Sequence, residues 1–363
     1  VSDASGHLKR LIALKGPLSL PEFMTAALWH PQDGYYAQSE VLGAKGDYVT
    51  SPEISQMFGE LLGLWSVAVW DAMGRPALLR LIELGPGRGL LMADALRAAR
   101  TQPGFLAAAH IHLVEASQHL AAVQRARLEG TRASWHPDLA AVPEGPNILL
   151  ANEFLDALPI LQLERTAAGW RERLVDYDSA AGRFRFTRSR HPTAAEALLS
   201  PAERTAPVGS IAELSPAAIS LVSTIAQRLV EHGGMALFID YGRETAGLGS
   251  TLQALSRHAR HDALTAPGTA DLTAHVDFAA LERAAREAGA ACHGPIAQGE
   301  FLLALGIRER AERLAAAASR EQAEDIHGAL MRLIEPGEMG TLFKALVLAH
   351  PALPVPPGFR EVR

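Results

Sequence analysis

The residues best placed to do chemistry begin with Glu83-Leu84-Gly85-Pro86-Gly87-Arg88-Gly89. An apolar run leads into this segment and a helical pattern leaves it. Glycines at 85, 87 and 89 let main chain pass close to a ligand and take up positive φ. Glu115 closes the next apolar run, where a carboxylate can accept both hydroxyls of a ribose. In an open α/β sheet, ligands bind beyond the carboxyl ends of the strands, where both features fall. The dinucleotide fingerprint Gly-x-Gly-x-x-Gly/Ala fails because Leu90 occupies the third slot, and no Gly-Lys-Ser/Thr phosphate loop is present. Gly-x-Gly-x-Gly, with an acid two residues before it, is the form used by class I S-adenosylmethionine-dependent methyltransferases. That cofactor has no phosphates, so Glu83 can anchor its amino end or a water. Gly85, Pro86, Gly87 and Gly89, with Glu83 and Glu115, are therefore the expected cofactor-binding set. The alternative is a tight strand–helix turn with no ligand.

Other residues carry weaker signals. Trp135-His136 follows the third predicted strand, beside the adenine or as core packing. Thr50-Ser51-Pro52-Glu53 opens a helix, with Ser51 as its cap and Glu53 in its first turn, or covers the cofactor. Asp240-Tyr241-Gly242 ends the fifth strand on the substrate side. Asp271 and His275 alone make a weak metal pair, and no metal is expected. Ser51 lacks the Gly-x-Ser-x-Gly setting of a hydrolase nucleophile. Cys292 is the single cysteine, so no disulfide forms within the chain, and buried packing is its expected role.

The elements that would position these groups form an alternating pattern. Strands are predicted over Leu78–Leu84, Ile111–Glu115, Ala133–Trp135, Asn147–Ala151 and Met235–Asp240, with helices over Gly89–Arg100 and Ser117–Leu128. Strands alternating with helices imply a parallel sheet covered on both faces. Leu342–Leu348 reads as a last strand, antiparallel at the sheet's edge. Before this pattern, Ser19-Leu20-Pro21-Glu22 starts one helix. Pro52 starts another, whose apolar stripe includes Met57, Leu61 and Trp65. Ile160 to Arg188 alternates by two and reads as inserted hairpin strands. The fold expected is α/β, a class I methyltransferase (Rossmann-like) seven-stranded sheet with an added N-terminal helical region and an inserted β-hairpin/helical substrate region. The divisions are 1–75, 76–159, 160–232 and 233–363.

The 363 residues carry a formal charge of −6, with 48% hydrophobic and 20% charged residues. A large core follows, and a general nucleic-acid binder, with its basic face, does not. The apolar stretch Leu61–Trp70 is too short for a bilayer, and Val1–Arg10 lacks a signal-peptide core. A bacterial cytoplasmic protein without membrane insertion is expected.

Several longer motifs add specificity: His30-Pro31-Gln32-Asp33-Gly34-Tyr35-Tyr36, Gly46-Asp47-Tyr48-Val49-Thr50-Ser51-Pro52-Glu53-Ile54, Met57-Phe58-Gly59-Glu60, Asn152-Glu153-Phe154-Leu155-Asp156-Ala157-Leu158-Pro159, Ile239-Asp240-Tyr241-Gly242, Asp271 to Phe278 and Gly340-Thr341-Leu342-Phe343-Lys344. Through them nearly the whole chain resembles the MidA-like methyltransferases, a family that includes the mitochondrial complex I assembly factor. Leu155 and Leu90 depart from it, where Phe and Thr are frequent. The resemblance implies methylation of a protein arginine, with a respiratory NADH dehydrogenase (complex I) subunit as the partner. An arginine nucleophile is a cation that must lose a proton, so its site needs carboxylates to hold the guanidinium. Glu153 is the expected orienting carboxylate, Asn152 a positioning group and Asp156 a second acid. A charge at a helix N-terminus is the plainer reading of Glu153. A small-molecule methyltransferase, or a non-catalytic assembly protein retaining the pocket, would share these motifs.

Overall fold

The computed structural model describes residues 3–37, 49–256 and 259–360, so Gly46-Asp47-Tyr48 of the second long motif lies outside the described residues. The chain divides into two compact units, one made of Val49–Leu155, Leu221–Gly242 and Leu281–Arg363, the other of Val1–Tyr48, Asp156–Ser220 and Arg243–Ala280.

The first unit carries the sheet. Its strands are β1 (Leu79–Leu84), β2 (Ala109–Val114), β3 (Ala133–His136), β4 (Asn147–Asn152), β5 (Gly234–Arg243), β6 (Ala291–Ala297) and β7 (Phe343–Ala349). They lie in the order β6-β7-β5-β4-β1-β2-β3. Pairing is parallel from β5 through β4, β1 and β2 to β3, and antiparallel where β7 meets β5 and β6. The path thus has seven strands. Central strands are buried along nearly their whole length, which is why β4 and β7 carry the unbroken apolar runs Ile148–Ala151 and Ala345–Ala349, while in β1 Arg80 and Glu83 interrupt an otherwise apolar strand. The last strand is not at the edge. β6 lies outside it, and Gly294-Pro295, at a register shift between His293 and Ile296, breaks the pattern by which a strand is read.

Helix α1 (Gln56–Ala72) packs against α2 (Leu90–Ala98), which follows the glycine loop. The two backbones meet at Gly63, where a Cβ would lie 2.4 Å from the Ala95 carbonyl oxygen. The helix expected from Pro52 is interrupted. Ser51–Ile54 forms one turn, Ser55 is extended at φ −159°, and α1 starts afresh with the Ser55 side chain accepting from Met57 N at 3.2 Å. Thr50, not Ser51, is in the capping position of the short turn, and its side chain makes no capping bond. The paired signals of Pro52 and the apolar stripe hid the break, because Ser55 is itself a good cap.

The second unit has the helices Ala4–Lys15 and Leu20–Trp29, the latter starting at Ser19 as its sequence predicts and closed there by a Ser19–Glu22 capping box. The alternating stretch forms strands Leu161–Thr166, Gly169–Asp178 and Arg183–Arg188. They pair antiparallel in a five-stranded sheet with Leu18–Ser19 and Ile211–Leu214. Leu8, Leu20, Phe23, Leu28 and Val175 lie in its core.

Candidate active site

β1 delivers Glu83 and the glycine loop to the carboxyl end of the sheet. Gly85, Gly87 and Gly89 have φ of 59°, 54° and 75°, the left-handed region in which a side chain is strained. At Gly85 there is also no room, since a Cβ would lie 2.6 Å from the Phe154 ring. Glu83 is 3% exposed. Its Oε2 is buried without a partner. Burial pushes its carboxyl up to about 8, with the neighbouring Glu115 charge adding to the rise. A buried carboxylate with one free oxygen fits an ammonium group.

Glu115 sits just past β2, its N–H donating to the His136 carbonyl at 2.9 Å. Its carboxylate accepts from Ser117 N at 2.7 Å and from Gln124 Nε2 at 3.0 Å, while burial raises its pKa. Gln124, on α3 (Gln118–Arg127), also donates to the Gly87 carbonyl at 2.8 Å and accepts from Trp135 Nε1 at 2.9 Å. One amide thus joins the glycine loop, the acid and the tryptophan. His136 is held differently, its Nε2 lying 2.9 Å from His112 Nδ1. Burial and the adjacent imidazole lower His112 to about 4, so the pair is neutral at pH 7, one ring donating and the other accepting. Gln124 and His112 were not among the expected site residues. Gln124 had a signal, standing with Ala121 and Leu128 on the buried stripe of a short amphipathic helix, where a polar residue needs partners.

The carboxyl end of β4 gathers a second set. Glu153 follows the strand at φ +49°, a conformation costing about 1–3 kcal/mol for a residue with a side chain. Its N–H donates to the Ile239 carbonyl at 2.8 Å, and its Oε1 accepts from Ser51 N at 2.8 Å and Asn152 Nδ2 at 3.0 Å. Burial raises its pKa, and the charge of Glu53 contributes. Glu53 is raised by burial too, although Arg88 Nη1 lies 3.5 Å from its Oε1. Glu53 Oε2 and Asn152 Oδ1 are buried without partners. The Asp240 carboxylate braces this turn from β5, accepting from Phe154 N at 3.0 Å, Leu155 N at 2.8 Å and Tyr241 N at 2.9 Å. Tyr241 packs against the core, its ring 5.5 Å from that of Phe343.

Asp156 falls in the other unit, where its carbonyl accepts from Ala274 N at 3.0 Å. In that unit Asp271 accepts from the Tyr36 hydroxyl at 3.0 Å, and the His275 N–H donates to Thr251 Oγ1 at 2.9 Å. Among the described residues no group of three or more His, Cys, Asp or Glu side chains could hold a metal. Thr50 anchors the short turn through its carbonyl, which accepts from Glu53 N at 2.8 Å. The arrangement suits a cofactor with a cationic end and a ribose. Carboxylates line the loop where a phosphate binder would present positive charge.

Comparison with known proteins agrees. The model of a family described as S-adenosyl-L-methionine-dependent methyltransferase matches residues 61–296. A Mus musculus protein, protein arginine methyltransferase NDUFAF7, mitochondrial, is 40% identical over 94% of this chain and 83% of its own length. The Danio rerio protein of the same name is 40% identical over 93% and 85%. A crystal structure of a Burkholderia thailandensis protein bound to S-adenosyl-homocysteine superposes with a TM-score of 0.82. It is 29% identical and covers 99% of this chain and 96% of that one.

Proposed function

Because this chain belongs to the S-adenosyl-L-methionine-dependent methyltransferase family and uses that cofactor, we propose that it methylates an arginine side chain of a protein. The observation that carries the reading is the pair Glu153 and Glu53, two buried carboxylates of which Glu53 keeps its Oε2 without a hydrogen-bond partner, as Asn152 beside Glu153 keeps its Oδ1. Such a pair is stabilised by a cation that enters and hydrogen-bonds both.

When bound, the cofactor supplies a methyl group on a sulfonium, already a good leaving group. In this reading Glu83 Oε2 receives its amino end, the glycine loop lies against the adenosyl group and Glu115 takes the ribose hydroxyls. Trp135 and His136 flank the adenine, and Thr50-Ser51-Pro52 lies beside the cofactor. Glu153 accepts two guanidinium N–H bonds and fixes which nitrogen faces the methyl, with Asn152 holding its carboxylate in plane. Glu153, whose raised pKa makes it a stronger base than an ordinary carboxylate, would take the proton that the guanidinium nitrogen gives up on methylation. Glu53 balances the remaining charge.

The names of the relatives support a protein substrate. The partner we infer, from the family resemblance, is a subunit of NADH dehydrogenase, methylated in a bacterial cytoplasm. Thirty arginines against four lysines and a single cysteine suit that setting, and no helix of the described residues is long and apolar enough to cross a membrane. Incubation of the enzyme with methyl-labelled cofactor and the purified complex, followed by amino-acid analysis, should return methylarginine. Glu153→Gln should bind S-adenosylhomocysteine normally and transfer nothing. Label on any other residue type would refute the arginine reading.

A further inference from the structure

We infer that Gln124 is a positioning residue that makes this enzyme demand an intact ribose diol. The inference rests on the reading of Glu115 as the ribose acceptor. Its geometry is independent of that reading. Gln124 is fully buried. The Trp135 indole nitrogen can only donate, so it must face the amide oxygen, and at 2.9 Å it does. The Gly87 carbonyl can only accept, so it must face the amide nitrogen, at 2.8 Å. Partners on opposite sides therefore fix which way the amide points, and a flip would break both bonds. The second amide hydrogen is then directed at Glu115 Oε2, 3.0 Å away.

The consequence falls on Glu115. Ser117 N holds Oε1 at 2.7 Å and Gln124 holds Oε2. Both oxygens are held, with the Ala116 N–H adding to the grip, and each still has room for a further donor, so the carboxylate is fixed in one plane with both oxygens able to accept. Two adjacent hydroxyls match that pattern and one hydroxyl does not. Without Gln124 the carboxylate can rotate about the Ser117 bond, and a single hydroxyl satisfies it nearly as well as a pair. Since the same amide clasps Gly87, the orientation of the acid and the position of the loop are set together.

The test is calorimetric titration of the full chain with S-adenosylhomocysteine and with its 2′-deoxy analogue, comparing the ratio of the two dissociation constants. The wild type should prefer the ribose ligand by about tenfold or more, the loss expected when a charge-assisted bond is left unmade. Gln124→Met keeps length and apolar volume but donates nothing, and should bring the ratio close to one. Trp135→Phe, which frees the amide to turn while leaving an aromatic ring, should lower the ratio partway and serves if the methionine variant does not fold. Any change in adenine packing cancels in the ratio. A variant that weakens both ligands by the same factor, ratio intact, shows that Gln124 merely packs and overturns the inference. Glu115→Ala separates the two failures. If it leaves the ratio unchanged, the ribose reading of Glu115 falls and this inference with it. If it abolishes the ratio while Gln124→Met does not, only the role of Gln124 falls.

Discussion

Glu83 makes cofactor binding a proton-linked event, and Glu83→Gln is the perturbation that isolates it. Its carboxyl is pushed up to about 8, chiefly by burial, so in the ligand-free protein at pH 7 about one molecule in ten carries the charge. An ammonium group at Oε2 requires the ionised form. Producing it costs about 1.4 kcal/mol at pH 7 and about twice that at pH 6. Affinity for S-adenosylhomocysteine should therefore rise about tenfold from pH 6 to pH 7 and about fivefold more by pH 8, where half the acid is ionised, with about nine-tenths of a proton released per ligand at pH 7. Calorimetry in two buffers of different ionisation enthalpy reads that proton directly. The ligand-free protein should show the opposite trend. Between an ordinary pKa of 4.5 and about 8 the folded state keeps a proton that the unfolded chain has lost, so stability falls as pH rises through that window. This one group contributes a loss of roughly 3 kcal/mol by pH 7. Glu83→Gln should abolish the affinity slope, weaken binding at pH 8 and raise the melting temperature of the ligand-free protein there. Wild-type affinity that is flat from pH 6 to 8, with no buffer-dependent heat, would refute the reasoning.

Three further perturbations follow from the same geometry. Gly85→Ala puts a Cβ 2.6 Å from the Phe154 ring at φ +59°, so it should cost about 1–3 kcal/mol in thermal unfolding and abolish cofactor binding. Asp240→Ala leaves the Phe154 and Leu155 N–H groups without their acceptor and should cost about 2–5 kcal/mol, with transfer lost even where S-adenosylhomocysteine still binds; unchanged denaturant unfolding would remove Asp240 as the brace of that turn. Glu153→Gly relieves a left-handed conformation and a buried acid at the expense of two hydrogen bonds, so stability should hold within about 1 kcal/mol while transfer disappears; a fall of many degrees in melting temperature would show that Glu153 serves the fold instead.

How much of this was legible beforehand depended on whether a feature is local in the chain. The strands around the glycine loop could be read because burial on both faces makes each a short apolar run, and the loop because positive φ demands glycine at 85, 87 and 89. β6 was hidden by its Gly-Pro, and the break at Ser55 by a residue that caps a helix as readily as it interrupts one. Glu83 and Glu115 stand out as acids at strand ends beside the glycine motif, and Glu153 through the family resemblance and the need of an arginine nucleophile for a carboxylate. What the sequence could not convey is which groups surround them. The Ser51 N–H on Glu153 crosses 102 residues and the Phe154 N–H on Asp240 crosses 86. Gln124 bridges three segments that only the parallel pairing of β1, β2 and β3 brings side by side. Residue types and spacing determined which acids and glycines stand at the ends of strands, because local backbone preference and hydrophobic periodicity act within a few residues. Tertiary structure decided which of those acids are desolvated, which are tied and which keep an oxygen free, because desolvation and hydrogen bonding depend on neighbours that the sheet, not the chain, supplies.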